Sequence, residues 1–196
     1  TESRMQNPAT VWRTLKSQQE ERKVIFTEQF PGTDVAKWLE AVGFSLAAIR
    51  MKTGKTADEV IDLIADAQCE DGYINTYFTI KEPDKRWTDL CEGHELYTAG
   101  HLMEAAVAYY EGTGKRKFLD CMCKFADLNL DTFGTEEGKI HGYPGHEEVE
   151  IGLIKLARVT GNKKYMESGK IFRRCQRCWR KLFYERNERP DYKMIF

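Results

Sequence analysis

The chain has 196 residues, 41% of them hydrophobic and 31% charged, which describes a soluble globular protein long enough for one substantial core or for a piece of a larger one. A formal net charge of −1, with no long Lys/Arg block, excludes any general attraction to nucleic acid or to anionic lipid. No apolar run approaches the roughly 20 residues that span a bilayer, and no charged-then-apolar leader opens the sequence, so it reads as cytoplasmic or as a mature chain whose leader was removed.

Residues 1–30 read as an N-terminal helical segment, with a helix over residues 8–20 and a break marked by Phe30-Pro31-Gly32. From Asp34 to Ile49, apolar residues recur at helical spacing, and Val35, Trp38, Leu39, Val42, Leu46 and Ile49 form a broad stripe. This helix stops near Thr53-Gly54-Lys55. A second begins at once, with Thr56 as its cap, Asp58-Glu59 in its first turn and Val60, Ile61, Leu63 and Ile64 on its buried face. Two helices joined by a tight turn make a helical hairpin.

The same phrase returns twice. Ala105–Asp120 carries a helix, a Thr113-Gly114-Lys115 turn and the next helix, and Leu153–Met166 repeats it around Thr160-Gly161-Asn162. The glycines at 54, 114 and 161 stand 60 and 47 residues apart, too irregular for a plain solenoid but natural for hairpins joined by variable loops. Short turns lie within each hairpin, so the long connections, residues 71–93 and 133–145, share one end of the scaffold. They carry Asp71-Gly72-Tyr73, Trp87 and Gly142-Tyr143-Pro144-Gly145, and loops of this kind on a rigid frame are where binding sites form. The pattern is all-α, an α/α toroid whose inner helices, Val35–Ile49, Leu96–Tyr110 and Val149–Val159, line a cleft.

His94 and His146 stand where those long loops turn into helices, at matching points of consecutive hairpins. A helix N-terminus has unpaired N–H groups and partial positive charge, so side chains there can face a ligand without breaching the core. His101, two turns further in among Leu96, Leu102 and Ala105, reads as a packed core residue. Glu95, Glu147 and Glu148 read as first-turn acids that complement the helix dipole. The zinc-protease pattern is absent, because neither His-Glu pair is followed by a second His at the required spacing. Of six cysteines, Cys175 and Cys178 have half a zinc-site spacing, and Cys121 and Cys123 stand as a second pair. Both pairs sit inside helical patterns without the knuckle turns that present sulfur to zinc, so reduced, mostly buried thiols are expected.

Four ordered runs add a resemblance. Thr33–Ala41, Asp71-Gly72-Tyr73-Ile74-Asn75-Thr76-Tyr77-Phe78, His94-Glu95-Leu96-Tyr97-Thr98-Ala99-Gly100-His101 and Gly142-Tyr143-Pro144-Gly145-His146-Glu147-Glu148 together resemble glycoside hydrolase family 127, the β-L-arabinofuranosidase-like enzymes. The resemblance covers about residues 30–190 and implies an (α/α)6 barrel, of which residues 31–196 supply about half. It also implies a retaining glycosidase with a cysteine nucleophile, a zinc ion held by cysteines and a glutamate, and a separate glutamate as general acid/base. None of the six cysteines aligns with those positions, so no catalytic residue, metal ligand or bound zinc is expected in this chain. What carries over is His94 and His146, which correspond to family histidines that contact the sugar.

The implied ligand is therefore an arabinofuranoside or related sugar, held in place rather than cleaved. The alternative reading is a non-catalytic α/α module that binds carbohydrate or a protein through its loop rim. A half toroid is also expected to expose apolar surface, which a second copy of the chain would cover.

Overall fold

The computed structural model describes residues 31–49 and 54–173. Among these residues all regular structure is helical: α1 (Pro31–Ala48), α2 (Lys55–Ala67), a short α3 (Thr76–Ile80), α4 (Glu95–Thr113), α5 (Lys117–Thr132) and α6 (Glu148–Thr160). A last helix, α7, covers residues 163–173. An isolated bridge between Phe133 and Ile140 is the one β-type pairing among the described residues. The helix expected over residues 8–20, and the pair Cys175 and Cys178, lie outside the described residues.

Three hairpins follow in order, α1/α2, α4/α5 and α6/α7. In the inner layer α4 lies between α1 and α6, and in the outer layer α5 packs on α4 and α2. Residues of α7 join that outer layer: Tyr165 donates its hydroxyl to Asp127 Oδ1 at 3.0 Å, and Phe172 meets Phe133 with ring centroids 5.6 Å apart. The arrangement is a fragment of an α/α barrel, three helical hairpins side by side.

The central place of α4 follows from its composition. Leu96, Ala99, Leu102, Met103, Ala105, Ala106, Val107 and Tyr109 are all buried, so the helix is apolar around most of its circumference. Its neighbours approach closely because glycines face each other across both seams. A Cβ on Gly43 of α1 would stand 2.7 Å from the Ala108 carbonyl carbon of α4, and one on Gly112 would stand 2.5 Å from Gly43 O. Across the other seam, a Cβ on Gly152 of α6 would lie 2.7 Å from Gly100 O, and one on Gly100 would overlap the Glu148 carbonyl. The helices therefore pack backbone against backbone.

Several boundaries differ from the sequence reading. Of the Phe30-Pro31-Gly32 break, Pro31 and Gly32 belong to α1, which is described from Pro31, and Phe30 lies outside the described residues. Thr56 is not the cap of α2: that helix starts at Lys55, and Gly54 holds the cap position. The three glycine turns are not conformational copies either. Gly114 and Gly161 close their helices in the left-handed region, with φ of 77° and 74°, and their N–H groups donate to Tyr110 O and Ala157 O. Gly54 has φ −118° and opens a helix instead.

The two long loops do meet at one end. Gly145 N–H donates to Leu90 O at 3.4 Å, and the Trp87 and Phe133 rings pack edge to face at 5.2 Å. Loop 71–93 is more structured than a connector need be. Asn75 caps α3, its side chain accepting from the Tyr77 and Phe78 N–H groups, and a 3-10 turn follows at Pro83–Lys85. Away from the loops, Phe44, Ile49, Ile151 and Ile154 remain exposed, so Ile49 does not join the α1 stripe in the core.

Candidate functional site

The loop end of the inner helices holds a pocket of about 200 Å³ lined by Thr33, Asp34, Lys37, His94, Tyr97 and His146. The start of α1 supplies the first three, and the start of α4 supplies His94 and Tyr97. His146 comes from the loop before α6. The pocket volume is well below the ~300–1,000 Å³ of drug-sized sites.

The two histidines expected to share a rim do so, with ring centroids 5.3 Å apart and planes tilted by 32°. Their backbone settings are not equivalent, however. His94 is the N-cap of α4, whereas His146 stands one residue before Glu147, the N-cap of α6. The approach of the rings depends on Gly100 and Gly152, because the α4/α6 seam they form starts beside Glu148, two residues after His146.

His94 adopts a left-handed backbone, φ 54° and ψ 21°. This region costs a non-glycine residue on the order of 1–3 kcal/mol, so the surroundings must hold it there. Its Nδ1 lies 2.5 Å from Glu92 O. A carbonyl only accepts, so Nδ1 carries the proton and in the neutral ring Nε2 is the acceptor nitrogen.

Tyr97, one turn into α4, lies among three imidazoles, with centroids at 5.7 Å to His94, 4.8 Å to His146 and 4.6 Å to His101. Its hydroxyl accepts from Lys37 Nζ at 3.3 Å, and Thr33 and Thr98 hydroxyls meet at 3.1 Å between α1 and α4. The sequence reading missed Tyr97, Thr33, Asp34 and Lys37 as lining residues. Spacing held the signal: Tyr97 is three positions after His94 on one helix, and Thr33 and Lys37 are four apart on another.

His101 is not the plain core residue expected. Its ring packs against Tyr97, its Nδ1 is 3.7 Å from Glu104 Oε2, and both ring nitrogens are buried without a hydrogen-bond partner. Burial, with the Lys37 charge nearby, holds its pKa below the ordinary imidazole value. Behind it Lys155 of α6 bridges Glu104 of α4 at 2.5 Å and Glu40 of α1 at 3.4 Å, tying the three inner helices together.

Glu95 also departs from its expected role as a first-turn dipole acid. It is 1% exposed. Its Oε1 accepts the Tyr73 hydroxyl, and its Oε2 accepts the Trp87 N–H at 2.8 Å. Trp87 is the other non-glycine residue with positive φ among the described residues, at 61°. The Arg86 guanidinium stacks 3.5 Å from the Tyr73 ring centroid and pairs with Asp71 at 2.8 Å. Burial pushes the Glu95 carboxyl up to about 7, outweighing its two donors and Arg86, and burial with Glu95 beside it raises Tyr73 further above its ordinary value.

The pocket lining brings together the Lys37 ammonium, the Asp34 carboxylate, two imidazoles, the Thr33 hydroxyl and the Tyr97 ring. A zinc ion does not fit: no group of three or more His, Cys, Asp or Glu side chains among the described residues can share a metal. The Cys121 thiol donates to Gln68 Oε1 at 3.1 Å and is pushed up to about 12 by burial, as a packed thiol is. No described helix is long and apolar enough to cross a membrane.

Comparison with known proteins places this geometry. Residues 3–192 match the family model for the β-L-arabinofuranosidase GH127 catalytic domain. A non-reducing end β-L-arabinofuranosidase of Bifidobacterium longum subsp. longum is 44% identical over 142 residues, 70% of this chain and 22% of that protein. Among solved structures, a GH127 β-L-arabinofuranosidase from Geobacillus stearothermophilus T6 superposes with a TM-score of 0.76 at 49% identity, over 84% of this chain and 26% of its own. A second GH127 β-arabinofuranosidase reaches 0.69 at 31% identity, over 85% of this chain and 30% of its own. The chain thus spans about a quarter of the length of these relatives. With a family match over residues 3–192 and relatives at 44% and 49% identity, the chain belongs to the GH127 β-L-arabinofuranosidase catalytic-domain family.

Proposed function

We propose that this chain is the sugar-positioning part of a β-L-arabinofuranosidase-type glycosidase, with His94 and His146 as the residues that grip an arabinofuranoside. The observation that carries this reading is the meeting of the two rings, 5.3 Å apart, over a small polar pocket on the loop rim. With Nδ1 donating to the Glu92 carbonyl, Nε2 of His94 is the nitrogen that would accept from one sugar hydroxyl, and the Lys37 ammonium donates to another. Such contacts fix ring orientation without moving a proton.

Retaining cleavage further requires a nucleophile and a proton donor on opposite sides of the anomeric carbon. Among the described lining residues, Asp34 is the one carboxylate, and no thiol lines the pocket. The zinc that the family resemblance implies would activate a thiolate, but the described residues do not fit it, and no step is assigned to it. The same composition of the lining favours a second reading, a non-catalytic carbohydrate-binding module.

Calorimetry with methyl β-L-arabinofuranoside and assays with an aryl β-L-arabinofuranoside test both readings. Binding that is weakened in His94→Ala and in His146→Ala, without turnover by the purified chain, is the expected result. Turnover by this chain alone would defeat the assignment to positioning only. Equal binding by the wild-type chain and both variants would defeat the sugar site.

A further inference from the structure

The network around Glu95 is built for more than helix capping. A first-turn acid complements a helix dipole equally well from the surface, at no desolvation cost. Glu95 is instead buried, and both of its oxygens are committed to the loop: one to the Tyr73 hydroxyl, the other to the Trp87 N–H. Among the described residues, the two non-glycine residues with positive φ, Trp87 and His94, are the residue that carboxylate bonds and the residue that precedes it. Tyr73 is itself locked from above and from the side, by the Arg86 guanidinium on its face and by Trp87 and Phe125 at 5.1 and 5.7 Å.

We infer that Glu95 is a positioning residue for His94: by clamping Tyr73 and the Trp87 backbone, it holds residues 87–94 in the shape that keeps the His94 ring at the pocket with its Nδ1–H on the Glu92 carbonyl. The inference rests on the sugar-site reading for its consequence in binding, but the clamp itself is a separate statement about ring geometry. The groups that face the carboxyl are Tyr73, Arg86 and Asp89 from the loop, with Asp71 reaching it only through Arg86. None of them lines the pocket, so Glu95 acts through His94 and not on the ligand.

The test uses the full 196-residue chain, with ¹⁵N imidazole spectra recorded at about pH 8, where an ordinary imidazole is neutral, and the His94 signals assigned by their loss in H94A. The wild-type ring should show the Nδ1–H tautomer. In E95A that signature should give way to a mixture of tautomers, and affinity for methyl β-L-arabinofuranoside should fall severalfold, no further than in H94A, because the effect passes through that ring. In E95Q both should return toward wild type, because the amide oxygen still accepts the Trp87 N–H and the amide N–H₂ still reaches the Tyr73 oxygen. Y73F, which deletes one hydroxyl, should shift the ring signals part of the way.

A folded E95A chain with an unchanged His94 signature, or one whose affinity is unchanged while H94A loses binding, overturns the inference. So does E95Q lying no closer to wild type than E95A. Should E95A not fold, Y73F decides, and an unshifted ring signal in it has the same consequence. Equal sugar binding by wild type and H94A would sink the sugar site and leave the clamp to be judged by the ring signature alone.

Discussion

The two ends of the inner helices solve opposite problems with similar residues. At the turn end, Asp58 accepts the Tyr109 hydroxyl at 2.8 Å and pairs with Lys115, and Thr113 and Thr160 hydroxyls donate back to Tyr109 O and Leu156 O. The threonine contacts are local and the Asp58 contacts tie α2 to the end of α4, all of them are only part-buried, and left-handed backbone falls on Gly114 and Gly161, where it costs least. At the loop end, positive φ falls on Trp87 and His94 as well as on Gly72 and Gly138, a buried carboxylate spans the loop, and both His101 ring nitrogens are without hydrogen-bond partners. One end is finished for stability. The other carries strain and unspent polar groups, as expected of the binding site proposed there.

Substitutions at both ends put that contrast to measurement. Gly100→Ala drives a methyl into the Glu148 backbone, so it should destabilise by roughly 1–3 kcal/mol and also separate His94 from His146. Gly114→Ala meets open space and carries only the left-handed penalty of about 1–2 kcal/mol, with the pocket unaffected. Urea denaturation gives both costs. Equal losses of sugar binding in the two variants would erase the distinction between the ends.

Next in size is a pH dependence belonging to the loop end. The folded chain holds the Glu95 proton more tightly than the unfolded chain, since its carboxyl rises from 4.5 to about 7 on burial. Its contribution to stability is therefore fully present below pH 4.5 and lost as pH rises through about 7. Thermal midpoints across that window should fall for wild type with a slope that E95Q removes. An unchanged slope in E95Q would show that another group carries it.

Removing either imidazole should cost about 0.5–1.5 kcal/mol of sugar binding, the value of a net hydrogen bond, and little fold stability. Calorimetry and a thermal melt on the same samples separate those quantities. The smallest effect belongs to the turn end. Lys115→Ala breaks a partly exposed ion pair with Asp58 and should cost about 0.2–1 kcal/mol, less at high salt. A larger loss would mean that the turn end, too, depends on a critical polar contact.

The helical pattern was legible because amphipathic spacing is local: Val60, Ile61 and Ile64 are buried where their period puts them, and the glycine turns at 114 and 161 close helices as read. The shared end of the long loops was legible too, because it follows from alternation of short and long connections. Thr56 failed as a cap because Gly54 can take the position, and sequence gives two adjacent candidates no ranking.

Composition, helical period and the four ordered motifs were sufficient to specify the fold class, the family and the pair His94 and His146, since each depends on residues close in the chain or on their order. Tertiary structure alone decided that the rings meet across 5.3 Å, that Thr33, Asp34, Lys37 and Tyr97 share their pocket, and that Glu95 is buried with Tyr73 and Trp87. Those facts depend on how closely α1, α4 and α6 approach. That approach is set by the glycine seams, where a single methyl group on either side would move the helices apart.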